Sequence, residues 1–252
     1  MTGVVASIAL PLAPVSAADM TRFGELSGDL NPIHCVGPAA RQTTFGQPIA
    51  HGTHLVLKAL EALAEPGAGA TYRHLRARFM LPVFLDQALE LDLADADGRL
   101  QVRLRDGERS LASLELFDAA EVANSDWSPD PGVLRPTPAT MSIEAMTGLV
   151  GELRMPYRAS DMAAMFPAAL GTWGPNVVAH LLGTSRIVGM EAPGLRSMCV
   201  ALNLRMTGGA DSSLKFKVVR ANLKLSLVQL ELSSVAMEGT VEALVRSDGP
   251  AT

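Results

Sequence analysis

The chain has 252 residues, of which 48% are hydrophobic and 19% are charged, a composition that favours a globular core and excludes a disordered chain. The net charge of -5, without any run of Lys or Arg, gives no electrostatic basis for binding nucleic acid or an anionic membrane. The two cysteines, Cys35 and Cys199, are too few for a disulfide scaffold and lack the spacing of a zinc site. No apolar run approaches the roughly 20 residues that span a bilayer. We therefore expect a cytoplasmic protein without a metal or a redox cofactor.

The N-terminal 120 residues alternate between strand, helix and loop patterns. We expect a first strand at 4–12, a short helix at 17–26, a polar loop at about 27–44 and a buried apolar helix at 53–63. Alternating apolar and polar residues then indicate half-buried strands at 75–81, 89–94, 100–105 and 111–117. The pairs Asp97-Gly98 and Asp106-Gly107 supply hairpin turns. This order predicts an antiparallel meander wrapped around one apolar helix.

A linker separates this unit from a second one. Residues 121–140 contain four of the prolines and few large apolar residues. Beyond them the same order of elements returns, with a helix near 160–165, a buried apolar helix at about 176–190, and strands at 198–206, 214–218, 223–232 and 241–245. We therefore predict an N-terminal repeat at 1–120 and a C-terminal repeat at 141–252.

The register of this duplication can be read from matching residues. Leu75 matches Leu202 at an offset of 127, whereas Asp19 matches Asp161 at an offset of 142. The difference between the two offsets, 142 minus 127, means that the second repeat lacks about 15 residues between its short helix and its buried helix. The missing segment corresponds to residues 28–41 of the first repeat. We therefore expect one working site per chain, in the N-terminal repeat.

The polar loop carries the residues suited to proton transfer. Asp29 and His34 lie five residues apart on a segment braced by Pro32, where a carboxylate can hold a water and an imidazole can exchange a proton. Gly52 opens the apolar helix, and its backbone N–H, at the positive end of the helix dipole, can approach a carbonyl oxygen closely. These parts favour hydration or dehydration next to a carbonyl group.

The loop and the start of the helix resemble a known family. The pattern Gly28-Asp29-x-Asn31-Pro32-x-His34, followed by Phe45-Gly46 and Ile49-Ala50-His51-Gly52, is similar to the MaoC-like (R)-specific enoyl-thioester hydratases. The resemblance implies an α+β double hot-dog fold, in which each of two tandem repeats is an antiparallel sheet wrapped around a central helix. It further implies that Asp29 and His34 form the catalytic dyad, that Asn31 helps to shape the site, and that the Gly52 amide contacts the thioester oxygen.

The same resemblance implies the substrate, an acyl thioester of coenzyme A or of an acyl carrier protein. We expect the two repeats to form an intramolecular pseudo-dimer, and the sequence leaves open whether two chains then associate as a homodimer. Some family members place a serine that supports the aspartate about eight residues after the helix glycine, whereas this chain has Leu60 there. Three alternatives stay open: a hot-dog acyl thioesterase, a non-catalytic acyl-thioester binding subunit, and a loop in which Asp29 and Asn31 serve only turn geometry.

Overall fold

The computed structural model describes residues 8–64, 72–119 and 126–246. In the N-terminal half the elements are β1 (Ile8–Leu12), α1 (Ala17–Ser27), α2 (Pro38–Arg41), α3 (Gly52–Leu63), β2 (Tyr72–Phe79), β3 (Leu89–Ala96), β4 (Arg99–Asp106) and β5 (Arg109–Ala119). In the C-terminal half they are α4 (Ile143–Met146), β6 (Val150–Arg154), α5 (Ala159–Met165), α6 (Pro167–Arg186), a π-helical turn (Ile187–Glu191), β7 (Ser197–Met206), β8 (Ser213–Asn222), β9 (Leu227–Ser233) and β10 (Met237–Val245).

Helix α1 ends at Ser27, two residues before the predicted catalytic aspartate. A capping box starts the helix, because the Ser16 hydroxyl accepts from the Asp19 N–H at 3.1 Å while the Asp19 carboxylate accepts from the Ser16 N–H. Gly28 stops it with a left-handed backbone, φ 71° and ψ 11°, which glycine adopts without steric cost. The chain therefore turns sharply into the polar loop at Asp29.

Helix α3 begins at Gly52 and is apolar on most of its surface. Seven of its residues are buried, including Leu55, Val56 and Leu57. A helix that is apolar all round has to be covered on every side, and here the sheet and α6 cover it. The predicted helix at 53–63 is confirmed, with a start one residue earlier.

Ten strands form one antiparallel sheet in the order β1-β3-β4-β5-β2-β7-β10-β9-β8-β6. Strands β2 and β7 join the halves at its centre, where Arg76 lies opposite Asn203. These two residues are 127 positions apart, which is the offset of the repeat. Asn203 is therefore both the match of Arg76 in the second repeat and its neighbour on the adjacent strand. The pseudo-twofold axis passes through this pair, and the arrangement is the predicted α+β double hot-dog fold.

Helix α6 is longer than the sequence pattern predicts. It starts at Pro167, is interrupted at Gly174 with φ 80° and ψ 164°, and is buried from Val177 to Arg186. Pro175 follows the interruption, where it can begin a new helical segment without needing an N–H partner. The segment after the interruption runs to Arg186 and continues as the π-helical turn to Glu191, so the predicted helix at about 176–190 is confirmed, and only the part that starts at Pro167 was not predicted.

Several smaller predictions differ from the structure. The strand predicted at 223–232 begins at Leu227, since Leu223–Ser226 form a turn that closes with a backbone hydrogen bond. The second hairpin turn lies at Gly107-Glu108, one residue later than predicted, and β6 was not foreseen. Of the predicted first strand, residues 4–7 lie outside the described part. The division into repeats at 121–140 stays a prediction. Across the described ranges, no helix has the length and apolarity to cross a membrane.

Candidate active site

Side chains from other parts of the chain hold the start of the polar loop by its backbone carbonyl groups, where the two halves meet. Three consecutive carbonyl groups each accept one side-chain hydrogen bond: that of Ser27 from the Tyr157 hydroxyl at 3.0 Å, that of Gly28 from the Arg186 guanidinium, and that of Asp29 from His51 Nε2 at 3.1 Å. Tyr157 and Arg186 belong to the C-terminal half. The loop therefore takes its shape from residues far away in sequence.

The Asp29 carboxylate is buried, with 3% of the residue exposed. Its Oδ2 accepts from the Ser185 hydroxyl at 2.8 Å, and its Oδ1 accepts from the Asn31 backbone N–H at 3.2 Å. Burial raises the pKa of Asp29 above its ordinary value, although His34 and these hydrogen bonds act in the opposite direction. A carboxylate with a raised pKa is a better proton acceptor than an exposed one.

Gly189 of the π-helical turn makes room for this carboxylate. A Cβ atom on Gly189 would lie 2.0 Å from Asp29 Oδ1, a distance that no real pair of such atoms adopts. The backbone of the C-terminal half therefore forms one wall against Asp29, and only a glycine fits there.

His34 has a defined tautomer. Its Nδ1 lies 2.8 Å from the Ile49 carbonyl oxygen, which can only accept, so Nδ1 carries the proton and Nε2 keeps its lone pair. Asp29, His34 and His51 each present a side-chain atom within 4.8 Å of the others. Burial lowers the pKa of His34, while the Asp29 carboxylate raises it. The structure thus brings the two predicted dyad residues together.

His51 supports the loop as a neutral residue. Its ring stacks on that of His34 with centroids 3.8 Å apart and packs against Phe23. Burial, with the neighbouring His34 and His54, lowers the pKa of His51 well below its ordinary value. Its Nε2 approach to Asp29 Oδ2 at 3.9 Å is therefore not an ion pair, and the hydrogen bond to the Asp29 carbonyl is the contact that matters.

Asp29, His34 and His51 are also the residues of the site that would have to hold a metal ion. Imidazole nitrogens bind a metal along lone pairs that lie in the ring plane. The rings of His34 and His51 are stacked with an interplanar angle of 27°, so their in-plane lone pairs lie in two nearly parallel planes. The arrangement fits proton transfer better than metal binding.

Asn31 is fully buried and its side-chain amide is used within the protein. The amide nitrogen donates to the carbonyl oxygens of Gly189 and Gly194 at 3.1 and 3.0 Å, and its oxygen accepts from the Ile33 N–H at 3.3 Å. These bonds tie the loop to the C-terminal half. Asn31 thus lies where it can shape the site, and its amide hydrogens are already engaged.

Gly52 lies at the wall of a cavity beside Asp29 and His34. It is the first residue of α3, where backbone N–H groups have no partner inside the helix and the helix dipole is positive. The Phe79 ring packs against it, and a Cβ on Gly52 would lie 2.8 Å from that ring. The cavity encloses about 80 Å³, and its apolar lining includes Ile49, Leu55, Phe79, Val83, Val188 and Val200.

Three residues around Asp29 were not predicted from the sequence, namely Ser185, Arg186 and Gly189. All three come from the end of α6 and the π-helical turn, in the half that we expected to be scaffold. A signal for them exists, because Thr184, Ser185 and Arg186 interrupt an otherwise apolar buried helix. Position 60 carries a buried leucine, and the hydroxyl that contacts Asp29 comes from Ser185 instead.

Comparisons with known proteins point to one family. Residues 7–114 match the family described as MaoC like domain. The chain is 34% identical over 85 residues to a 3-hydroxybutyryl-CoA dehydratase of Methylorubrum extorquens, covering 33% of this chain and 54% of that protein. It is 38% identical over 71 residues to an (R)-specific enoyl-CoA hydratase of Aeromonas caviae, covering 27% of this chain and 53% of that protein. The chain thus spans about half the length of these curated relatives.

A solved structure described as a MaoC-like dehydratase extends the likeness over both halves. It has a TM-score of 0.62 and 13% sequence identity, and the match covers 98% of this chain and 99% of that chain. At this identity the likeness shows the fold alone. The sequence match to the MaoC like domain lies in the N-terminal half, at residues 7–114, and it contains the polar loop and α3.

Proposed function

We propose that the protein interconverts trans-2-enoyl thioesters and (R)-3-hydroxyacyl thioesters by adding or removing water. The observation that carries this proposal is the meeting of Asp29 and His34 beside the N-terminus of α3, at an apolar cavity. A pair of proton-exchanging groups next to backbone donors suits a reaction that passes through an enolate. The names of the two curated relatives support the same chemistry.

In the proposed hydration, Asp29 and the Nε2 lone pair of His34 hold a water and take its proton as the oxygen attacks C3. The proton required at C2 returns from the same pair, so the dyad ends the cycle as it began. In dehydration the steps run in reverse. Hydrogen bonds from Ser185 and the Asn31 N–H hold both carboxylate oxygens of Asp29, which fixes its direction during these transfers.

The Gly52 N–H is the proposed donor to the thioester oxygen. Negative charge develops on this oxygen when water adds to C3, and the positive end of the α3 dipole stabilises that charge. The Phe79 ring fills the space that a Gly52 Cβ would need, so this ring and the start of α3 together form one wall of the acyl cavity. The apolar lining takes the acyl group, and the thiol part belongs to coenzyme A or an acyl carrier protein.

The test is an absorbance assay at the enoyl-thioester band with purified protein and crotonyl-CoA. Crotonyl-CoA is the first substrate to try, because one of the curated relatives is a 3-hydroxybutyryl-CoA dehydratase, whose name indicates a four-carbon acyl group. We expect the band to decline without release of free thiol, and chiral analysis of the product to give the (R)-3-hydroxyacyl thioester. A parallel reaction with a thiol reagent detects the alternative, a thioesterase. Binding without turnover of either a coenzyme A or a carrier-protein thioester would indicate a binding subunit and overturn the proposal.

A further inference from the structure

We propose that Arg186 of the C-terminal half is a positioning residue for the dyad, because its buried guanidinium holds the Gly28 carbonyl and places a positive charge beside Asp29. This inference rests on the proposed function, since it assigns the residue a role in setting the protonation state of the aspartate. It also gives the C-terminal half of the chain a defined part in the candidate site.

The contacts of Arg186 are those of a fixed cation. Only 1% of the residue is exposed, and its two terminal nitrogens donate to the carbonyl oxygens of Gly28 and Arg135, the latter at 2.6 Å. A third contact, to Glu191 Oε1, is longer at 3.4 Å. A guanidinium keeps its charge when buried, and its planar fork is oriented by several acceptors at once.

Arg186 acts on the loop through the backbone of Gly28. This glycine has φ 71°, ends α1 and immediately precedes Asp29, so the direction of its carbonyl sets the direction in which the loop starts. The guanidinium lies close to Gly28, and a Cβ there would be 3.2 Å from Arg186 Nη1. Arg186 thus holds the peptide that carries Asp29, while Ser185, its neighbour in sequence, holds the carboxylate itself.

The charge of Arg186 opposes the effect of burial on Asp29. The guanidinium lowers the pKa of the Asp29 carboxyl, which burial raises. Five other titratable groups face Asp29. His34 and Cys35 lie on its own loop, His51 at the start of α3, Tyr157 in the segment before α5 and Cys199 on β7. His51 is neutral, and burial also keeps the tyrosine and the thiols neutral by raising their pKa values. Glu191 is shared between Arg186 and Arg135, so this group of three carries a net positive charge.

Three variants separate charge from packing. Arg186→Met removes the cation and the hydrogen bonds, Arg186→Lys keeps a cation, and Tyr157→Phe removes a bond to the neighbouring Ser27 carbonyl without changing any charge. We expect Arg186→Met to move the acidic limb of the pH profile of kcat/KM upward by about one pH unit. We expect Arg186→Lys to restore most of that shift and Tyr157→Phe to leave the limb in place.

A titration of the Asp29 carboxyl by NMR in isotope-labelled protein keeps this test independent of turnover, with Asp29→Asn used to assign the signal. The pKa of Asp29 should rise in Arg186→Met and return toward the wild-type value in Arg186→Lys. Equal pKa values in the wild type and the Met variant would overturn the inference, as would an equal rise in Tyr157→Phe. If Arg186→Met does not fold, two other variants test the same charges. The pKa of Asp29 should fall in Glu191→Gln, which removes a negative charge, and rise in Arg135→Met, which removes a positive one. An unchanged pKa in the first variant and a lower pKa in the second would contradict the charge arrangement. A protein that turns over no thioester but shows the expected titration would refute the proposed function alone.

Discussion

The Ser185 hydroxyl donates a 2.8 Å hydrogen bond to Oδ2 of Asp29, although 156 residues of chain separate them. The aspartate lies on the loop of the N-terminal half, and the serine lies near the end of α6 in the C-terminal half. The predicted catalytic residue of one half is therefore held by the other. Both halves of the chain therefore contribute residues to the candidate site.

Replacing Ser185 by alanine should slow the reaction without unfolding the protein. A hydrogen bond to a charged group contributes about 1.5–3 kcal/mol, and its loss leaves one buried oxygen of Asp29 without its donor. We expect kcat to fall by roughly tenfold or more, with a smaller change in KM. Steady-state kinetics of Ser185→Ala beside Ser185→Thr, which keeps the hydroxyl, measures this effect. Equal rates for the alanine variant and the wild type would show that the bond does not matter for turnover.

Replacing Gly189 by alanine should disturb the site, because Gly189 lies directly against the Asp29 carboxylate. The new Cβ would occupy the space of the Asp29 carboxylate, so either the carboxylate moves or the π-helical turn does. Overpacking of this kind typically costs about 1–3 kcal/mol. Gly171→Ala, on α6, is the control, because a Cβ there meets nothing within 4 Å. Thermal unfolding and activity of both variants should separate them, and a fully active Gly189→Ala protein would contradict the geometry.

The backbone donor at position 52 can be tested by a pair of variants with the same added Cβ. Proline is tolerated at the first position of a helix, and His51 already has the extended backbone, φ -63° and ψ 136°, that a residue before proline prefers. Gly52→Pro removes the N–H, whereas Gly52→Ala keeps it. We expect the proline variant to be slower than the alanine variant by a factor on the order of 100, as for loss of one oxyanion donor. Similar kcat values for the two variants would show that this N–H does not contact the developing charge.

Asp29→Asn should make the protein more stable at a pH above the folded pKa of Asp29. Burial raises the pKa of Asp29 in the folded state, so its contribution to stability is present below the unfolded pKa and is lost as the pH rises through the folded pKa. At a pH above the folded pKa of Asp29, the variant removes a buried charge and keeps the shape of the side chain. Its melting temperature should rise by roughly 2–4 °C per kcal/mol gained. The gain should shrink as the pH falls through the folded pKa.

Asp211→Asn is a control for which we expect the opposite change in melting temperature. Partial burial raises its pKa, but hydrogen bonds from the N–H groups of Ser213 and Val235 outweigh this effect and hold the pKa below its ordinary value. Asp211→Asn should therefore lower the melting temperature at pH 7. A lower melting temperature for Asp29→Asn as well would show that the Asp29 charge is better solvated than its burial indicates.

The parts of this molecule that were predictable from sequence are those encoded locally. Period-two alternation located most strands, and the short motif from Gly28 to His34 located the loop, because both signals lie within a few residues. The contacts of Asp29 with Ser185 and Gly189 were not predictable, since they depend on how the polar loop packs against the end of α6 and the π-helical turn, which are distant in sequence. The π-helical turn was missed for a related reason, because its residues have an ordinary helical composition and tertiary contacts determine how they wind.

The most direct test of the account is the hydration rate of Asp29→Asn and His34→Ala with crotonyl-CoA, or with the acyl thioester that the wild type turns over best. Both variants should remain folded by circular dichroism and bind the thioester, while kcat falls by a factor on the order of 100 or more. Near wild-type turnover by Asp29→Asn would contradict the assignment of proton transfer to this dyad.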